Sequence, residues 1–148
     1  MHQITDKDVI VLAIKPHYSH AIMSGEKKVE FRRKGTPVNV EHIVVYSTSP
    51  DQQIIGHCEV IKCVVASPHT LWQKYGAQGG ISQNDFFLYY KGVTEGKCYI
   101  LTKPQRYVRP ILLKDCWSFS RPPQSFAYLL KNEWKRLKRK KIQGILKQ

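Results

Sequence analysis

The sequence predicts an α+β domain: a small curved sheet or barrel, short helices around it, and a basic helix at the C-terminal end. Three observations carry this. The chain has 148 residues, 42% of them hydrophobic, which suits one domain with its own core. Its apolar segments run strand, helix, three strands, two helices, two strands, helix, and consecutive strands do not fit the regular alternation of a doubly wound sheet. No repeat, linker or low-complexity stretch divides residues 1–148.

Residues 9–14 are a continuous apolar run of strand length, too short for a helix of its own. Lys15 and Pro16 end it, since proline cannot donate to a ladder but suits a first helical turn. A helix follows over 16–24, with Gly25 as its stop. Over 27–33 Val29 and Phe31 alternate with Lys28, Glu30 and Arg32, so period two puts Glu30 and Arg32 on one face of a strand. Further strands fall at 42–46, 54–65, 97–102 and 107–113, each rich in Val, Ile, Tyr or Cys. Between the second and third of these, 68–75 and 82–90 read as short helices, the latter capped by Ser82 and closed by Gly92. Over 124–142, Phe126, Leu129, Leu130, Trp134 and Leu137 recur at helical spacing after Pro122 and Pro123, with Ser125 as a cap.

Charge narrows the partner. Lys and Arg number 24 against 11 Asp and Glu, a net charge of +13, which points to a polyanion. The excess is uneven. Residues 1–105 carry 12 basic and 9 acidic side chains, a net of +3, while 106–148 carry 12 and 2, a net of +10. Lys135, Arg136, Lys138, Arg139, Lys140 and Lys141 form the densest run and are the candidates for gripping a nucleic-acid backbone. The competing reading is a merely solvated face. No apolar run is long enough to span a membrane and no signal peptide opens the chain, so a cytoplasmic protein with no membrane partner is expected. Cys58, Cys63, Cys98 and Cys116 lack a C-x-x-C pair and read as reduced thiols, and the six histidines lack the spacing of a zinc site. No metal and no cofactor is expected.

Six residues stand out as ligand candidates. Lys15 sits where a strand ends and a helix begins. Glu30 and Arg32 offer a carboxylate for an exocyclic amine and a guanidinium for a carbonyl or phosphate oxygen, with Lys27 as a nearby point charge. A plain ion pair is the alternative. Tyr46 and Ser47, at the end of a buried strand, offer a ring for stacking and a hydroxyl. Trp72 is a second stacking candidate.

These residues carry a resemblance. Ile14, Lys15, Pro16 and Tyr18, then the octet Gly25 to Arg32 with Lys27, Glu30 and Arg32 in a G-x-K-x-x-E-x-R pattern, resemble the ASCH domain. Tyr46 to Pro50, Gly56 to Glu59, Leu71 with Trp72, Gly80 to Ser82 and Pro122 to Phe126 extend the likeness over nearly the whole chain. The resemblance implies a PUA-like β-barrel with a cleft, and a module that seats RNA, single-stranded nucleic acid, a nucleotide or a modified base there. It also implies an alternative, a hydrolase of the same superfamily: a ribonuclease or an amidohydrolase of modified nucleosides. In that case Lys27 and Glu30 are the acid–base candidates. The amidohydrolase branch has a threonine where this chain has Glu30, and a later glutamate for which Asp85 is the nearest carboxylate, so its acyl chemistry is not expected.

Overall fold

A computed structural model describes residues 4–112, 115 and 121–144. Its elements are β1 (Thr5–Ile14), α1 (Pro16–Ser24), β2 (Val29–Arg32), β3 (His42–Ser47), β4 (Gln53–Ala66), α2 (Pro68–Tyr75), α3 (Gln83–Tyr89), β5 (Gly96–Leu112), β6 (Phe126–Leu130) and α4 (Lys131–Lys138). The six strands make one sheet in the order β2-β5-β4-β3-β1-β6. β1 runs parallel to β3, and the other neighbours are antiparallel. The mixed α+β class is therefore as expected. No ladder joins β2 to β6 among the described residues, so the sheet is hydrogen-bonded as an open one, and barrel closure is not part of its ladder.

Local chemistry explains the boundaries. Pro16 opens α1, and Gly25, at φ 86°, closes it in the left-handed region that glycine enters at little cost. Ser67 caps α2 by accepting from the Thr70 N–H, and Ser82 caps α3 by accepting from the Asp85 N–H. The break expected between two strands near 103–106 is a distortion within the single strand β5. Lys103 takes φ 52° beside Pro104, and the pairing with β4 shifts register there. Leu113 and Cys116 lie outside the described residues.

The largest correction concerns 124–142. Phe126–Leu130 is a strand, and the helix begins only at Lys131. The exposed edge of β1 accounts for this, because Leu12 pairs with Phe126 and Val11 with Ala127, and the Ala13 N–H donates to the Ser125 carbonyl. Phe126 and Tyr128 pack towards Ile10 and Leu12, whereas Leu129 packs with Val9 and Val11 on the other face. That alternation is period two, and the helical offsets were coincidental. The cap also moves: the Glu133 carboxylate accepts from the Leu130 N–H at 2.8 Å, displacing Ser125 from that role.

The sheet buries both faces. One carries Ile10, Leu12, Ile43 and Val45 against Ile22 and Met23 of α1. The other carries Val9, Val11, Val44, Tyr46 and Tyr107 against Trp134 and Leu137 of α4. A third cluster joins Val29 and Phe31 to Leu71, Phe86 and Tyr90 under α2 and α3. Cys58, Cys63 and Cys98 are free thiols, and burial pushes Cys58 up to about 12.

Beneath α4, His57 accepts from or donates to the Tyr107 hydroxyl at 2.7 Å and meets the Trp134 ring edge-on at 5.1 Å. Burial, with His42 nearby, lowers its pKa from 6.5 to about 4. Between these two values the unfolded chain binds a proton that the folded one refuses, so stability is full above pH 6.5 and falls as pH drops towards 4. By pH 5 the loss from this side chain is about 2 kcal/mol. Urea unfolding of the wild type and His57→Gln at pH 7 and pH 5 should show a smaller pH-dependent loss in the variant.

Candidate functional site

Strand β2 is only four residues long, yet with Lys27 just before it, it gathers a dense group of charges in the interior. Lys27, Glu30 and Arg32 are all largely buried; Lys27 and Glu30 are 4% and 7% exposed. The Lys27 ammonium donates to the Gly79 carbonyl and lies 3.4 Å from Glu30 Oε1. From the other side Arg32 Nε donates to Glu30 Oε2 at 3.0 Å, and Arg32 Nη2 donates to the Ala13 carbonyl at 2.8 Å. A carboxylate flanked by two cations satisfies what burial demands of each charge. Because β2 lies at one end of the sheet and β1 near the other, the Arg32–Ala13 bond requires the sheet to curl until its ends approach.

A cleft of about 610 Å³ opens over this network. Its floor is Glu30, Arg32 and Lys27; Lys15 comes from the residue before α1, Tyr18 from the first turn of α1, and Asp85, Leu88 and Tyr89 from α3. Leu88 is 67% exposed at the lip. The Lys27 ammonium sits 5.2 Å from the Tyr18 ring centre and Arg33 lies 5.9 Å from that of Tyr89. Burial, with Asp85 and Glu30 nearby, raises the Tyr18 pKa, so its hydroxyl stays protonated and can donate. Aromatic walls over a floor of guanidinium, ammonium and carboxylate suit a flat polar heterocycle, with donors for a carbonyl and an acceptor for an amine. Gly79 is needed for close approach: a Cβ there would stand 2.4 Å from the Phe31 ring, on the backbone that receives Lys27.

Of the candidates from the sequence, Lys15, Lys27, Glu30 and Arg32 come together in this cleft. Tyr46 and Ser47 do not line it. Tyr46 is 1% exposed in the cluster under α4. Ser47 is fully buried behind α1, in a second polar group. There the Ser47 hydroxyl donates to Asp51 Oδ2 at 2.7 Å and lies 2.7 Å from the Ser19 hydroxyl. Asp51 Oδ2 also meets His20 Nε2 at 2.6 Å, and Arg106 Nη2 faces His20 Nδ1 at 3.1 Å. The bonds from Ser47 and His20 lower the Asp51 pKa. Trp72 packs on Phe86 at 5.1 Å. Tyr18, Asp85, Leu88 and Tyr89 are cleft residues that sequence reasoning missed; Leu88 and Tyr89 beside buried Phe86 and Tyr90 on so short a helix were the available signal. Lys135, Arg136, Lys138, Arg139 and Lys141 are exposed on and after α4, with Lys140 half-buried. Among the described residues no cluster of three or more His, Cys, Asp or Glu is placed to hold a metal, and no helix is long and apolar enough to cross a membrane.

The model of the ASCH domain matches residues 12–111, from the strand that receives Arg32 to the end of β5. The chain belongs to the ASCH domain family. It is similar to a Zymomonas mobilis protein named ASCH domain-containing ribonuclease, 33% identical over 141 residues, covering 93% of this chain and 95% of that one. The crystal structure of ASCH from Zymomonas mobilis superposes with a TM-score of 0.82 at 32% identity, covering 89% of this chain and 94% of that one. The N-terminal domain of Staphylothermus marinus McrB shares the fold at a TM-score of 0.53 and 11% identity, over 93% of this chain and 97% of that one.

The buried network makes a stability prediction. Lys27→Met leaves Glu30 short of one cation in a site with little water, and the expected loss is about 3 kcal/mol. Chemical denaturation of Lys27→Met and of the double variant Lys27→Met/Glu30→Gln checks this, with the double variant less stable still, because Arg32 then keeps its charge in a largely buried position with no carboxylate beside it.

Proposed function

We propose that this ASCH domain binds RNA, taking one unpaired base into the cleft over Glu30 and Arg32 while lysines and arginines outside it hold the sugar–phosphate backbone. The observation that carries the reading is the paired floor: a guanidinium and a carboxylate fixed side by side, with aromatic side chains above. A guanidinium donates to a base carbonyl, a neighbouring carboxylate accepts from an exocyclic amine, and together they read one edge of a base. Lys15 at the mouth contributes a charge for a flanking phosphate.

The basic run supports the second half of the proposal. α4 packs on β6 and β1 through Trp134 and Leu137, so its exposed cations are held on a defined surface, unlike those of a solvated tail. Deleting this segment would remove buried Leu137 and the Tyr107–Ile142 bridge, so charge removal is the cleaner test.

RNA hydrolysis is a second reading, favoured by the relative named a ribonuclease. Both oxygens of Glu30 already face cations, which suits positioning better than proton transfer. The Lys27–Glu30 acid–base pair is accordingly the weaker source of that chemistry.

Fluorescence anisotropy with a short single-stranded RNA tests the reading. Binding should weaken steeply with salt. Lys135→Gln/Arg139→Gln/Lys141→Gln should lower the slope of log K against log salt by roughly one for each phosphate no longer neutralised. Arg32→Lys should instead change the ranking of the four homopolymers, at a cost of about 1 to 3 kcal/mol for the preferred base. Equal binding of all variants at every salt concentration would refute the proposal.

A further inference from the structure

The group around Ser47 lies apart from the cleft. Tyr18 turns to the cleft, and His20, two residues further along α1, points about 200° away around the helix. His20 is 45% exposed, and Asp51, in the turn after β3, is 27% exposed. Buried behind them, the Ser19 and Ser47 hydroxyls fix the carboxylate. Arg106 of β5 completes the row, and the basic C-terminal segment runs beside it: the Gln143 N–H donates to the Arg106 carbonyl at 2.7 Å, and the Val108 N–H to the Lys141 carbonyl at 2.8 Å.

The hydrogen positions follow from the partners. Asp51 is ionised and accepts, so His20 Nε2 carries the hydrogen in the 2.6 Å contact. Arg106 has only hydrogens to offer, so Nδ1 faces it with a lone pair at 3.1 Å. The ring is thus oriented by a carboxylate, and Nδ1 is covered by a guanidinium that a phosphate would draw away.

We propose that His20 is the general base of an RNA-cleaving centre, with Arg106 as its phosphate ligand and Asp51 as its positioning residue. This rests on the RNA-binding reading but uses a site separate from the cleft. An incoming phosphodiester takes the Arg106 guanidinium and uncovers Nδ1. Nδ1 accepts the proton of the adjacent ribose 2′-hydroxyl, and that oxygen forms a bond to phosphorus. The bond from phosphorus to the 5′ oxygen breaks with its electron pair on the oxygen, which takes a proton from water. The hydroxide left behind is neutralised by the imidazolium proton, restoring His20. The products are a 2′,3′-cyclic phosphate and a 5′-hydroxyl, and DNA, lacking the nucleophile, is not cut.

The test is cleavage of an end-labelled single-stranded RNA by the wild type, His20→Ala, His20→Gln and Asp51→Asn, with binding measured on the same RNA and a DNA copy as control. Wild-type protein should give cyclic-phosphate ends. His20→Ala should lose at least about a hundredfold in kcat with Kd unchanged, and added imidazole should restore part of the rate. Asp51→Asn should lower kcat with little change in KM. Three results would overturn the proposal: wild type that binds RNA without cutting it, His20→Ala that cuts as fast as wild type, or a folded, RNA-binding His20→Ala that imidazole fails to rescue. The first of these leaves RNA binding standing, whereas absence of binding by the wild type removes both.

Discussion

One chain of buried charges organises this molecule. The Lys27 ammonium just before β2 and the Glu30 carboxylate and Arg32 guanidinium on it form a row, and the far end of that row reaches the Ala13 carbonyl of β1. None of these charges is tolerable alone in that position, so each fixes the others. The consequence reaches beyond the strand. A sheet whose backbone ladder is open is drawn into a curl by a side chain, and the cleft is the space left over that bridge. Gly79, which supplies the carbonyl for Lys27, has to be a glycine because the Phe31 ring lies against it.

The rest of the architecture keeps two polar surfaces apart. α1 buries Ile22 and Met23 on one face of the sheet, while α4 buries Trp134 and Leu137 on the other. The cleft lies at one side of α1 and the His20–Asp51–Arg106 row at the opposite side. The C-terminal segment, pinned by its bridge at Ile142, brings its cations to the second surface. A strand of RNA that placed a base in the cleft and its backbone along α4 would have to pass around α1, past Arg106. This division of labour between base reading and phosphate holding is common in single-strand recognition.

Much of this was legible in the sequence, and the exceptions have physical causes. Alternation over Val29 to Arg32 was enough to place Glu30 and Arg32 on one face, and the order of apolar segments was enough to exclude a doubly wound sheet. Phe126 to Leu130 was misleading because so short a segment fits both a helical stripe and a strand, and only the unfilled edge of β1 decides between them. Tyr46 looked like a stacking ring because it ends a strand; which face it takes depends on α4, docked over it from far along the chain. His20 and Asp51 are 31 residues apart and carry no local pattern, so their meeting is a tertiary fact. The exposed Leu88 and Tyr89 were hidden among core aromatics of the same helix.

The central claim is that an RNA base enters the cleft over Glu30 and Arg32. It is tested most directly by photo-crosslinking single-stranded RNA carrying 4-thiouridine to the full-length protein and mapping the modified peptides. The account predicts adducts at the aromatic walls, Tyr18 or Tyr89, that disappear when free nucleotide competes. Crosslinks confined to the peptides of residues 131–144, with none on α1 or α3 at saturating RNA, would contradict it.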